Sequence, residues 1–140
     1  MSDSELVTWL RAQLDDDEVS ARFAIQAGGL GRWRELSSGV LDIGAPGLDG
    51  LVPIGDMRIS RHAVRFDPAR VLADVAAKRA ILDLAESAAL RRDADVTGDP
   101  VARLEKALAK VTAPELDRVV RLLAQPYADQ SGYREEWRPE

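Results

Sequence analysis

The chain has no cysteine, one histidine, and only three Trp, two Tyr and two Phe. Without cysteine there is no disulfide framework and no thiolate metal site, so stability has to come from packing. With His62 alone, any imidazole-based triad or metal site would have to be built without a second imidazole, and neither a metal nor a cofactor is expected. No stretch approaches the ~20 consecutive apolar residues of a membrane span. The opening Met1 to Leu10 is too acidic and too mixed for a signal peptide. A soluble chain with a cytoplasmic address is the expectation. No G-x-S-x-G, H-E-x-x-H or Walker pattern occurs, and Gly28-Gly29-Leu30-Gly31 follows a helical pattern, whereas phosphate loops follow a strand and open a helix. The 24 acidic residues allow many acid–base pairs and constrain none. An enzyme is therefore not expected.

What is present is the composition of one globular domain, 46% hydrophobic and 31% charged over residues 1–140. The net charge of −5 is unevenly spread. Residues 1–56 carry four Arg against ten acids, residues 57–92 eight Lys and Arg against four, and residues 93–140 seven against ten. Only the middle of the chain suits an anionic partner.

Ser2-Asp3-Ser4-Glu5 reads as a capping box that opens a helix over 3–27. Leu6, Val7, Leu10, Leu14, Ala21 and Ile25 give it a one-sided apolar stripe, and Gly28-Gly29 ends it. From Leu30 to Ile54 the helical period disappears. Short apolar groups at Trp33–Leu36, Val40–Ile43 and Leu51–Ile54 predict a small β-ribbon at about 32–55, with turns at Ser37-Ser38-Gly39 and Ala45-Pro46-Gly47 and a loop at Asp49-Gly50. Asp56 predicts a cap for a helix over 57–66, with Ile59, Ala63 and Phe66 on its apolar face. Asp67-Pro68 and Asp99-Pro100 each pair an N-cap carboxylate with the residue pre-set for the first helical position. They predict helices over 68–90, with Val71, Val75, Leu82 and Ala85 on one face, and over 100–111, with Val101, Leu104, Leu108 and Val111 in register. Thr112-Ala113-Pro114-Glu115 reads as another capping box, opening a helix over 113–124. The segment 126–140 holds Tyr127, Tyr133 and Trp137, dense for a free polar tail, and is expected to dock. The fold class is mainly α, an α-rich α+β bundle of four to five helices with the ribbon on one side.

Three groups of residues invite a functional reading. Asp15-Asp16-Asp17-Glu18 could offer oxygens to a cation, but consecutive helical residues point about 100° apart, and a solvated acidic face is the better account. His62 is expected to be a packed, hydrogen-bonded structural residue. Arg58, Arg61 and Arg65, with Arg70 just beyond, form the one charged constellation of defined geometry. Arginine forks bind phosphate or carboxylate bidentately, so this face could take nucleic acid or an acidic protein segment. Internal pairing with the acidic first helix, or plain solvation, is the competing account. Tyr127, Tyr133 and Trp137 are candidates for docking the tail or for an interaction.

The stretches RHAVRFDPARVLADVAAKRAIL, from Arg61 to Leu82, and VRLLAQPYADQSGYREEW, from Val120 to Trp137, resemble an actinobacterial and actinophage family of unknown function. Its members read like HIARHDPARVL at the centre and LRLLALPYADHPDYREEW at the C-terminus, and the opening SELVTWLRAQLDDDEVSAR is similar as well. In many members a second His stands where this chain has Phe66, and a Cys-containing stretch precedes the tail. The resemblance implies that any zinc site of the relatives is not intact here and that such a metal is structural. It also suggests a non-enzymatic protein-interaction protein of phage or mobile-element type, whose partner is a host protein or the chain itself. A nucleic-acid-associated accessory module using the Arg face is the alternative.

Overall fold

Leu6, Leu10 and Leu14 recur every four residues, and in the computed structural model all three are fully buried along one face of a helix, α1 (Ser2–Gln26). The structure describes residues 2–26, 29, 31–36 and 39–139, with only the backbone of residues 2 and 3. The Ser2 and Asp3 side chains of the expected capping box, Gly28 and Leu30 of the glycine cluster, and Ser37-Ser38 of the first expected turn lie outside the described residues. The chain resolves into two compact units, Leu14–Ala76 and, discontinuously, Met1–Gln13 with Ala77–Glu140.

In the unit Leu14–Ala76, α1 ends against Gly29, whose amide donates to the Ile25 carbonyl at 3.1 Å. A Cβ on Gly29 would stand 2.6 Å from the Ile43 carbonyl oxygen, so the chain can cross the ribbon here only as glycine. The ribbon has three antiparallel strands, β1 (Arg34–Leu36), β2 (Val40–Asp42) and β3 (Leu51–Pro53), in the order β1-β2-β3. Arg34 pairs with Asp42, and Asp42 with Leu51. Buried Leu41 sits at the middle of the central strand. The expected turn at Ala45-Pro46-Gly47 leads into a 3-10 turn at Gly47–Gly50. A sheet of three-residue strands is marginal alone, and α2 (Met57–Arg65) lies against β1 and β2. Asp67 then opens α3 (Pro68–Asp93): its Oδ1 accepts the Arg70 amide at 2.8 Å and its Oδ2 the Trp33 amide at 3.3 Å. The one carboxylate caps the helix and ties it to the segment before β1.

In the other unit, residues 2–13 of α1 and 77–93 of α3 contribute Leu6, Val7, Leu10, Leu82 and Ala88 to a core shared with α4 (Pro100–Ala124). Asp99 caps α4 by accepting the Val101 amide at 2.9 Å. Short 3-10 turns follow at Gln125–Tyr127 and Glu135–Trp137.

The expected four- to five-helix bundle is corrected: the described residues form three long helices and one short one. The helices expected over 100–111 and 113–124 are one continuous helix, with Pro114 inside it. The reason is local. Thr112 Oγ1 donates back to the Leu108 carbonyl at 3.2 Å instead of capping a new helix, and buried Ala109, Ala113, Val120 and Ala124 share one face across the proline. Packing along that face outweighs the hydrogen bond that Pro114 cannot make.

Candidate interaction surfaces

The arginine face is built by α2 and the start of α3. The Asp56 Oδ1 accepts the Arg58 amide at 2.8 Å, and the same carboxylate takes the Arg58 guanidinium through Nε at 3.2 Å and Nη2 at 2.8 Å. The Arg58 side chain, and next its amide, hold the Asp56 carboxyl below the usual range, and Asp56 raises Arg58 in return. Arg61 Nε reaches Glu35 Oε2 on β1 at 3.1 Å. Two of the four arginines are thus paired internally, with Asp56 and Glu35 rather than with the acidic run of α1. No partner for the side chain of Arg65 or Arg70 is seen among the described residues.

The apolar face expected of α2 is not its buried side, although the arginine face is exposed as expected. Ile59 and Phe66 are each 57% exposed, whereas Ser60 is fully buried, its Oγ donating to the Met57 carbonyl at 3.2 Å. A helix that lies close on a three-stranded ribbon presents its small residue inward, and the hydroxyl is satisfied within the helix, which removes the cost of burying it. His62 is corrected with it. The ring is exposed and stacks on Phe66, centroids 4.8 Å apart at 43°, and is not a packed core histidine. The exposed arc of α2 therefore runs from Arg61, Arg65 and Arg58 through His62 to Phe66 and Ile59.

The tail aromatics have a different setting. Trp137 is 2% exposed and meets Trp9 of α1 at 5.3 Å and Tyr133 at 5.8 Å, and Trp9 and Tyr133 meet at 5.6 Å. Trp9 Nε1 donates to the Ser131 carbonyl at 3.0 Å. At Gly132, with φ +85°, a Cβ would stand 3.0 Å from that nitrogen. Gln125 Nε2 donates to the Tyr133 hydroxyl at 2.8 Å, Arg134 pairs with Glu5 at 2.7 Å, and Arg121 Nη1 donates to the Glu136 carbonyl at 2.8 Å. Tyr127 stands under Lys78, whose Nζ is 5.3 Å from the ring centroid. Tyr133 and Trp137 are committed to internal packing.

The same unit holds a cleft of about 480 Å³ between α1, α3 and α4, floored by Val7, Ala85, Ala89, Ala113 and Val120. Its rim charges are paired off: Glu86 with Arg11, and Asp93 with Arg92. Among the described residues no group of three or more His, Cys, Asp or Glu could hold a metal ion, and no helix is long and apolar enough to cross a membrane.

A further surface, whose direction the periodicity did not give, is on α4. Val101, Leu104, Leu108 and Val111 do recur in helical register, but they are 66%, 62%, 59% and 71% exposed. The inward side of α4 is the face of Ala109, Ala113, Val120 and Ala124, roughly 150° around the helix at 100° per residue. Leu104 and Leu108 thus stand in solvent at the middle of a three-turn apolar strip. The next position in the same register is Glu115, which ends it.

The chain belongs to a family of unknown function, DUF6221, whose model matches residues 3–139. No curated protein and no solved structure gives a significant match.

Proposed function

We propose that this chain is a non-enzymatic protein-interaction protein whose principal contact surface is the exposed strip of α4. The observation that carries the reading is the exposure of four large aliphatic side chains, Val101, Leu104, Leu108 and Val111, on one face of one helix. Single exposed aliphatics are ordinary, but a contiguous strip opposed to the packed face of the same helix marks a contact site. A 3-4-3 spacing is also the form in which one helix presents itself to another. The cleft between α1, α3 and α4 supports catalysis less well, since its floor is mostly alanine and valine and its polar groups are used in ion pairs at the rim. The phage or mobile-element type of the protein, with a host protein or a second copy as partner, follows the resemblance to actinobacterial and actinophage sequences, and action in the cytoplasm follows the acidic, mixed character of Met1 to Leu10 and the want of a long apolar run.

The test is a comparison of the full chain with Leu104→Glu/Leu108→Glu, each immobilised and exposed to an actinobacterial lysate. A partner held by the first and lost from the second is the expected result. Identical recovery by both would remove the strip from the function.

A second reading, a nucleic-acid-associated accessory module, is favoured by one observation: Arg65 and Arg70 stand unpartnered among the described residues beside exposed His62 and Phe66. Cationic forks with neighbouring rings suit phosphates and bases. Retention of DNA or RNA that weakens with salt and is lost in Arg65→Gln/Arg70→Gln would support it. The acidic net charge of −5 argues against it.

A further inference from the structure

We infer that the α4 strip joins two copies of this chain as an antiparallel, two-fold pair of helices. This deepens the interaction reading and rests on it. The observation is the order of residue types along the strip. Val101, Leu104, Leu108 and Val111 are spaced three, four and three apart, and the types read Val, Leu, Leu, Val from either end. A two-fold axis level with Lys106 therefore sets Val101 against the second copy's Val111 and Leu104 against its Leu108, with no strip residue left over. Closed two-fold association requires a self-complementary patch of this kind.

The flanks of the strip are consistent with that pairing. One flank carries Pro100, Ala107 and Pro114, uncharged and short, and the axis brings Ala107 beside its own copy, so the helices can approach closely. Antiparallel order also sets the two helix dipoles head to tail. On the other flank the axis brings Glu105 alongside the second copy's Glu105, an exposed like-charge pair that weakens the contact. In a parallel pair Glu105 would face the second copy's Pro100 instead, which makes Glu105 a probe of orientation. The four side chains expose on the order of 400 Å² per copy, about half of what each partner in a stable complex buries. The dimer is accordingly weak, with a dissociation constant on the order of 100 µM.

Sedimentation equilibrium of the full chain from about 10 µM to 1 mM brackets that constant and tests the proposal. A monomer–dimer equilibrium is expected, abolished in Leu104→Glu/Leu108→Glu with unchanged circular dichroism, weakened in Leu104→Ala/Leu108→Ala, and tightened about threefold or more in Glu105→Gln. If the Glu double variant loses helix, the Ala double variant and Glu105→Gln decide. A chain that stays monomeric throughout, a dimer indifferent to the leucine changes, or a dimer indifferent to Glu105→Gln overturns the antiparallel pair. If the chain is monomeric but Leu104→Glu/Leu108→Glu still loses a lysate partner, the second copy falls and the interaction reading stands. If neither self-association nor any partner depends on the strip, both fall.

Discussion

Asp67 does three things with one carboxylate and its carbonyl: it caps α3 through the Arg70 amide, accepts the Val71 amide, and takes the Trp33 amide from the segment that leads into β1. It is also buried, so removing its oxygens leaves two part-buried amides without their acceptor. Asp67→Ala should therefore lower stability by about 2 kcal/mol, the cost of a lost cap plus an unsatisfied part-buried donor. Asp67→Asn, which keeps one acceptor oxygen, should lose less than half of that. Urea unfolding of the two variants measures the difference, and equal losses would mean that the retained oxygen restores neither contact. Asp56, by contrast, is a half-exposed cap strengthened by its own guanidinium neighbour, Arg58. Asp56 and Asp67 both occupy the position before a helix, and burial separates them. That difference could not be read from the letters.

At the scale of the element, the starts of helices were legible and their sides were not. Asp56, Asp67-Pro68 and Asp99-Pro100 act through atoms within three residues of themselves, and α2, α3 and α4 begin where those signals stand. The three strands likewise fall within a residue or so of the apolar groups that announce them. Periodicity, however, fixes which residues share a face and says nothing of which way the face points. On α4 the aliphatic face of Leu104 and Leu108 competes with a face of Ala109, Ala113 and Val120, and the small residues took the interior. On α2 the interior went to Ser60. In both cases close approach outranked hydrophobicity. The local signal at Pro114 failed for a related reason, since a proline break is a short-range preference and the packed face beneath it is continuous. This predicts the sign of a substitution. Pro114→Ala restores an amide donor to an unbroken helix and should raise stability by about 1 kcal/mol in thermal or urea unfolding. A loss or no change would indicate that the proline fits a real discontinuity in α4.

Across the whole molecule, the ring cluster of Trp9, Tyr133 and Trp137 is the contact least legible beforehand. The density of aromatics after Tyr127 suggested docking, but the receiving side chain, Trp9, lies on α1 among residues that the apolar stripe did not include. Trp137→Ala should cost about 3–5 kcal/mol, as for other large buried rings. A chain cut after Ala124 should lose at least as much or become insoluble. Denaturation followed by circular dichroism tests both, and undiminished stability in the cut chain would turn the tail into a free recognition peptide.

The same cluster orders events during synthesis. The unit Leu14–Ala76 is an uninterrupted piece of chain, so all of its strands and their helix have left the ribosome before α4 has been translated. The other unit is assembled from separated pieces, with Glu5 and Arg134 paired across a sequence separation of 129. Its first helix must wait, apolar face uncovered, for α3 and α4, and Trp9 must wait longer still for its rings; contacts so remote in sequence form slowly. During that interval the nascent chain offers Leu6 and Leu10 to any holdase at the tunnel exit until α3 and α4 cover them, and the residues from Tyr133 to Trp137 act as the latch that closes last, over Trp9.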